Sequence, residues 1–254
     1  MRYIIVGAGG VGSTIGARLF EGGHEVVLVA RGRHLEALQQ HGLRLSTPDG
    51  EFTHHIPAIG GPDEIELRAD DALVLAAKTQ DVEGLLAQWA WQPVNGSSVA
   101  AGSLPVVCAQ NGVASERIAL RRFRQVYGMC VWLPATHLEP GVVEAQGAPR
   151  SGMLILGRYP AGADATASQI GADLSKSRFL APVFPDVMRW KHGKLLGNLA
   201  NAIEVVCGYS LTGDEHGVPT PVNEVLQRLA NQAAQQGRAP GSATPGEVLA
   251  LTGA

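Results

Sequence analysis

Residues 3–12 read Tyr3-Ile4-Ile5-Val6-Gly7-Ala8-Gly9-Gly10-Val11-Gly12, an apolar run that passes into a glycine-rich turn. The apolar run is typical of a buried strand, and residues from Val11 to Glu21 predict a helix that Gly22 and Gly23 close. A second apolar strand is predicted from Glu25 to Ala30. The order of strand, glycine turn, helix and strand indicates a βαβ unit and therefore a parallel sheet.

The glycines of the turn have the spacing Gly-x-Gly-x-x-Gly that is typical of dinucleotide-binding loops. Gly7 would permit the tight turn, Gly9 would let a pyrophosphate approach the backbone, and Gly12 would let the helix pack closely on the strand. The helix would present N–H groups and its positive end to the phosphates. A glycine turn in an ordinary α/β protein is the alternative. The predicted cofactor-binding residues here are Gly7, Ala8, Gly9, Gly10, Val11 and Gly12.

The end of the second strand indicates which dinucleotide is preferred. Proteins that bind NAD usually place a carboxylate there to accept the ribose 2′-hydroxyl. This sequence has Arg31 at that position, followed by Gly32 and Arg33, and no carboxylate. Because a guanidinium matches phosphate oxygens with paired hydrogen bonds, Arg31 favours NADP(H) over NAD. A solvated start to the next helix is the other interpretation of the two arginines.

Bulk properties exclude several classes of protein. The chain has 254 residues, a net charge of −3 and a pI near 6.2, so we expect neither a nucleic-acid partner nor a membrane surface. The apolar start is too short and too broken for a signal peptide or a membrane span. Three cysteines, Cys108, Cys130 and Cys207, are far apart and predict reduced core residues in a cytoplasmic protein. No spacing of Cys, His and acidic residues suggests a metal site.

Strands and helices alternate through the first two thirds of the sequence, which predicts an α/β fold with a Rossmann-like, doubly wound parallel sheet. The pattern then changes to one long helix from Met188 to Val206 and a second from Pro221 to Gln236. We therefore predict a dinucleotide-binding domain over residues 1–183 and a smaller helical domain over 184–254. Residues from about 237 onward are rich in Gly, Ala, Pro, Ser and Thr and predict a frayed tail.

The long helix contains polar residues among apolar ones. At about 100° per residue, Lys194, Asn198 and Asn201 fall on one side of the helix. A cation and two amides on an apolar helix are costly without partners, so a ligand cleft would explain them. A buried structural network or a solvated stripe would explain them as well.

Two further positions follow predicted buried strands. Asn111, in the sequence Gln110-Asn111-Gly112, follows one strand, and Lys78 follows the strand Ala72–Ala77. Ligands of open α/β sheets bind outside these carboxyl ends. Each position also has an ordinary interpretation: Asn-Gly forms turns, and exposed lysines are common on surfaces.

Together, these stretches resemble the ketopantoate reductase (2-dehydropantoate 2-reductase) family. The resemblance rests on the glycine turn with Val29-Ala30-Arg31-Gly32, Ala77 to Asp81, Gln110-Asn111-Gly112, Trp190 to Asn201, and His216 to Asn223. It implies NADPH-dependent reduction of a 2-keto acid to a 2-hydroxy acid, ketopantoate being the leading substrate, in pantothenate and coenzyme A biosynthesis.

The resemblance also implies roles for single residues. Gly7, Gly9 and Gly12 would hold the pyrophosphate and Arg31 the 2′-phosphate. Lys78 and Asn111 would line the cleft between cofactor and substrate and bind the cofactor, and Asn111 would also be a catalytic residue. Lys194 would be the catalytic general acid, with Asn198 and Asn201 binding substrate. Lys191 is close to the same helix face, and Lys194 is preferred because a leucine follows it and an asparagine comes four residues later.

The helical domain departs from the family pattern, since several helices expected between Gly208 and His216 have no counterpart. The family's substrate-site glutamate has no clear match, and Glu204, Glu215 and Glu224 are merely nearby. A shortened domain would expose apolar surface and favour a homodimer. The alternatives are a non-catalytic NADP-binding regulatory or interaction module, and a reductase of another small keto acid.

Overall fold

The protein is described by a computed structural model that covers residues 1–195. The helices are α1 Gly10–Glu21, α2 Gly32–His41, α3 Val82–Trp89, α4 Ser115–Ala119 and α5 Ala165–Lys176, and residues 187–195 are also helical. The strands are β1 Arg2–Val6, β2 Val26–Val29, β3 Leu43–Thr47, β4 Gly50–His54, β5 Ala58–Ile59, β6 Leu67–Arg68, β7 Asp71–Leu75, β8 Val94–Asn95, β9 Pro105–Cys108, β10 Gln125–Trp132, β11 Ala135–Thr136, β12 Val142–Ala145, β13 Gly152–Arg158 and β14 Phe179–Leu180.

The main sheet has eight strands in the order β14-β13-β10-β9-β7-β1-β2-β5. Every pair in it is parallel except β10 with β13. The six strands from β5 to β10 follow the order 3-2-1-4-5-6 of a Rossmann sheet. The predicted doubly wound parallel sheet is therefore confirmed, with one antiparallel pairing at its far side that the sequence pattern did not indicate.

A second sheet has the order β11-β12-β3-β4, in which β3 and β4 form an antiparallel hairpin. The strand β12 pairs in parallel with β3, although about 100 residues separate them in sequence. This sheet places β11 beside the start of α1, since a Cβ at Gly10 would lie 3.0 Å from the Ala135 carbonyl oxygen. The segment that follows β11 therefore lies next to the glycine turn.

The core lies on both faces of the main sheet. Alternate residues of β1 point to opposite faces, so Tyr3 and Ile5 belong to one buried cluster and Ile4 and Val6 to the other. Because helices cover both faces of the sheet, every residue of β1 and β7 is buried. This burial explains why the two strands are mostly continuous apolar runs in the sequence.

The helix α4 is short and ends at Ala119, before Arg121 and Arg122. The N–H groups of Arg121 and Arg122 bond to carbonyls three residues earlier rather than four, at Ile118 and Ala119. These tighter bonds end the helix in a turn.

Contacts divide the chain into two units, Met1–Lys191 and His192–Ala254. The predicted domain division after residue 183 stays a prediction, because most of the predicted helical domain lies outside the described residues. The same holds for the predicted helix from Pro221 to Gln236 and for the frayed tail. Within residues 1–195, no helix is both long and apolar enough to span a membrane.

Candidate dinucleotide site

The candidate site lies at the carboxyl ends of β1 and β7, where the strand order of the main sheet reverses. A cleft of about 880 Å³ opens there, and its walls include Gly7, Ala8, Gly9, Arg31 and Lys78. Its volume is in the range of pockets that hold cofactors and other small ligands. Open α/β sheets bind ligands in the crevice at this switch point, and five residues predicted to bind a cofactor line it.

The three glycines of the turn differ in what a side chain would meet. Gly7 has a φ of +105°, and a Cβ there would come within 2.6 Å of the Ala77 nitrogen. A Cβ at Gly12 would lie 2.2 Å from the Gly7 carbonyl oxygen. Among the atoms of residues 1–195, none would lie within 4 Å of a Cβ at Gly9. Gly7 and Gly12 are therefore required by backbone packing, whereas Gly9 keeps the cleft side of the loop open.

The start of α1 can accept an anion. Its N-cap residue is Gly9, which has no side chain to bond the first N–H groups of the helix. Those groups and the positive end of the helix macrodipole form a phosphate-binding arrangement. The loop is held in place because the Ser13 hydroxyl donates to the Ala8 carbonyl at 2.8 Å. The residues present therefore fit the diphosphate of a dinucleotide.

Arg31 lies at the end of β2, where it is the N-cap residue of α2. Its side chain is 76% exposed and makes a long contact of 3.4 Å to the carboxylate of Asp81. Such an exposed pair contributes little to stability, so the guanidinium can turn to a ligand at small cost. Asp81 also lines the cleft and places a carboxylate there that the sequence analysis did not consider.

Lys78 and Asn111 follow two neighbouring strands of the main sheet. Lys78 is exposed, lines the cleft, and is the N-cap of the short 3-10 helix Thr79–Asp81. Asn111 is exposed in the bend after β9 and is not one of the residues lining the cleft. The Gln110 side chain beside it is buried, and its amide group has no hydrogen-bond partner among residues 1–195.

Two histidines that the sequence analysis did not select line the same cleft. His34 stands in the first turn of α2 and His137 follows β11, and their ring centroids are 4.2 Å apart. Burial, assisted by the neighbouring His137 ring, lowers the pKa of His34 below its usual value of 6.5. No local pattern predicts this pair, since the two residues are 103 positions apart in the sequence.

The lysine that the sequence analysis set aside, Lys191, is buried. Its ammonium bonds to the carboxylate of Glu116 and contacts the Cys108 carbonyl at 3.4 Å. The same carboxylate and, above all, burial raise the pKa of the Cys108 thiol, which keeps it protonated and unsuited to nucleophilic chemistry. Lys191 is therefore engaged in an internal ion pair beneath the end of β9.

Lys194 is one helical turn further along the same helical run and is partly exposed. Asn198, Asn201 and the three nearby glutamates lie outside the described residues. Among residues 1–195, no group of three or more His, Cys, Asp or Glu side chains could hold a metal ion.

The part of the chain that carries the cleft matches a known family. The family model of ketopantoate reductase PanE/ApbA matches residues 3–160, which include the glycine turn, Arg31 and Lys78. The chain belongs to this family. The resemblance noted in the sequence is thereby confirmed.

Individual relatives agree with the family assignment. A 2-dehydropantoate 2-reductase of Pyrococcus horikoshii is 26% identical over 200 residues, which are 79% of this chain and 62% of the relative. One of Mesorhizobium japonicum is 40% identical over 114 residues, which are 44% of this chain and 32% of the relative. The chain thus spans about 62% of the length of the archaeal relative.

Solved structures show the same fold. The 2-dehydropantoate 2-reductase of Geobacter metallireducens superposes with a TM-score of 0.71 at 23% identity, covering 100% of this chain and 81% of the other. D-mandelate dehydrogenase with NADH and anilino(oxo)acetate gives a TM-score of 0.71 at 23% identity, covering 99% and 79%. These similarities establish a Rossmann-like fold.

Proposed function

We propose that the protein reduces a 2-keto acid to a 2-hydroxy acid with NADPH, and that ketopantoate is the leading substrate. The observation that carries this proposal is the glycine turn at the strand-order reversal, which fits a dinucleotide, in a chain of the ketopantoate reductase family. Its relatives named 2-dehydropantoate 2-reductase supply the substrate class.

The preference for NADPH over NADH rests on Arg31. It occupies the end of β2, where a carboxylate would accept the 2′-hydroxyl of NADH, and its exposed guanidinium can pair with a 2′-phosphate. Asp81 is the opposing observation, because its carboxylate lies 3.4 Å from Arg31 in the same cleft. A 2′-phosphate would have to displace this weak contact.

The chemistry assigns a separate role to each polar residue. The bound nicotinamide supplies a hydride to the ketone carbon. Lys194 stabilises the negative charge that develops on the ketone oxygen and donates a proton to it as general acid. Asn111, in the bend after β9, offers an amide to the nicotinamide or the substrate, and Asn198 and Asn201 bind substrate oxygens without adding charge. The burial of Lys191 against Glu116 supports this choice, since a lysine committed to an internal ion pair cannot serve as the acid.

The wider organisation follows from the same proposal. The cofactor domain comprises residues 1–183 and the substrate domain residues 184–254. A homodimer would cover apolar surface of the helical domain. The expected setting is cytoplasmic, with a small 2-keto acid rather than a nucleic acid or a membrane as the partner.

A second candidate substrate is an aryl 2-keto acid. The structural similarity to D-mandelate dehydrogenase with NADH and anilino(oxo)acetate supports testing it, because that protein has the same fold and was solved with an oxoacetate that carries an aromatic ring. The remaining alternative is a module that binds NADPH without turnover. Benzoylformate should therefore be assayed beside ketopantoate.

The experiment for Lys194 compares turnover with cofactor binding. We expect Lys194→Ala to lower kcat at least about 100-fold, the usual scale of a lost general acid, while the Kd for NADPH changes less than about three-fold. Lys176→Ala, at the exposed end of α5, is the matched control and should change neither quantity. Unchanged turnover in Lys194→Ala would remove this residue from the mechanism.

A further inference from the structure

The pair His34 and His137 is held in one arrangement by the backbone around it. The Gly141 N–H donates to Nδ1 of His34 at 2.9 Å, and Nε2 of His34 lies 2.6 Å from the Ala8 carbonyl oxygen. Because Nδ1 accepts, the proton must be on Nε2, which donates to Ala8. His34 is therefore neutral, and it connects the glycine turn to the loop that follows His137.

His137 is oriented by a different bond. Its Nδ1 lies 3.2 Å from the Val142 carbonyl oxygen, so Nδ1 must carry a proton and donate it. The other ring nitrogen, Nε2, is therefore available to a ligand in the cleft, whose walls include His137, Gly9 and Ala8. Since Nδ1 already carries a proton, Nε2 can donate to a ligand only when the imidazole is protonated. The ring is then a cation beside the start of α1.

We propose that protonated His137 binds the diphosphate of the nicotinamide cofactor through Nε2, with His34 as the neutral positioning residue beside it. This inference rests on the proposed function, because it requires a dinucleotide in the cleft. The position of His137 supports the diphosphate rather than the 2′-phosphate, because β11 packs against Gly10 at the start of α1 whereas Arg31 is at the end of β2. A cation and helix N–H groups would then share one anion.

Other charged groups also affect the same anion. Arg31, Lys78 and Asp81 line the cleft, His34 contacts the ring, and Glu139 belongs to the loop between β11 and β12. Arginine, lysine and aspartate side chains keep their charge between about pH 6 and about pH 8, whereas imidazole is the side chain whose charge changes there, and the two backbone bonds of His34 favour its neutral form. A change of cofactor affinity in this range that depends on residue 137 therefore reports on His137.

The test measures Kd for NADH and NADPH by calorimetry at about pH 6 and about pH 8. In His137→Asn the amide can keep the bond to Val142 but cannot reach the anion. We expect Kd to rise about ten-fold for both cofactors at the lower pH, and less at the higher pH. His137→Gln places an amide N–H near the position of Nε2 and should recover part of the affinity at both pH values. The control His41→Asn, at the exposed end of α2, should change nothing.

His34 is tested through a double-mutant cycle. If it acts by positioning His137, His34→Asn weakens cofactor binding in the wild-type background and has no further effect in His137→Asn. Unchanged affinity in His137→Asn, or a loss confined to NADPH, would overturn the diphosphate assignment while leaving the proposed function intact. Failure of the wild-type protein to bind either cofactor would overturn both.

Discussion

The ammonium of Lys191 is bonded to the carboxylate of Glu116, 75 residues earlier in the chain, and both side chains are almost fully buried. The contact links Lys191 to α4, and the bond from its ammonium to the Cys108 carbonyl extends the contact to the end of β9. The other oxygen of Glu116, Oε2, has no hydrogen-bond partner within residues 1–195. Lys191 is therefore the main counter-charge of the buried Glu116 carboxylate.

Removing Lys191 should destabilise the protein strongly. In Lys191→Met the Glu116 carboxylate stays buried without its counter-charge, a situation that costs about 3–5 kcal/mol. We expect the free energy of unfolding in urea to fall by this amount. The double variant Lys191→Met with Glu116→Gln should recover a large part of it, because no uncompensated charge remains. Wild-type stability in Lys191→Met would contradict the buried ion pair.

Two glycines of the turn should respond differently to a methyl group. Gly12→Ala places a Cβ 2.2 Å from the Gly7 carbonyl, so we expect a loss of about 1–3 kcal/mol in unfolding free energy. The Cβ of Gly9→Ala meets no atom of the described residues within 4 Å, so the variant should keep its stability while it loses cofactor affinity. Thermal melts and NADPH titrations of both variants separate these effects. Equal stability losses would show that Gly9 is also a packing position.

Arg31→Ala should weaken NADPH binding far more than NADH binding. A charge-assisted contact to the 2′-phosphate contributes about 1.5–3 kcal/mol, which corresponds to a factor of about 10 or more in Kd. Kd values for both cofactors provide the measurement, and Arg33→Ala, a neighbouring exposed arginine, is the matched control. An equal loss for the two cofactors would contradict the 2′-phosphate role of Arg31.

His34 should make stability depend on pH. Its pKa is lowered in the folded protein, so the unfolded chain takes up a proton below about pH 6.5 while the folded protein resists it. The contribution of neutral His34 to the free energy of unfolding is therefore fully present above about pH 6.5. It is lost as pH falls toward the pKa of His34 in the folded protein. The slope should stay below about 1.4 kcal/mol per pH unit, since one half-exposed group is involved.

The measurement for this effect is urea unfolding between about pH 7.5 and about pH 5.5, with wild type and His34→Asn compared at each pH. The amide of the variant can still accept from Gly141 but does not titrate. The wild type should lose stability relative to the variant as pH falls. Parallel curves for the two proteins would show that His34 does not contribute.

The features of the fold that the sequence predicts have local signals. The glycine turn after β1 and the apolar runs of β1 and β7 each depend on neighbours within about 30 residues. The missed features depend on distant contacts. The pairing of β12 with β3, the bond from Gly141 to His34 and the ion pair of Lys191 with Glu116 join residues about 75–107 positions apart. Tertiary packing alone determines these three contacts.

The central proposal is tested most directly by the initial rate of NADPH oxidation with ketopantoate, followed by nicotinamide absorbance with pyruvate and benzoylformate in parallel. The protein is predicted to oxidise NADPH in the presence of ketopantoate, faster than with either control acid. It should do so more slowly when NADH replaces NADPH. Binding of NADPH without turnover of any of the three acids would contradict the reductase proposal and favour a non-catalytic NADP-binding module.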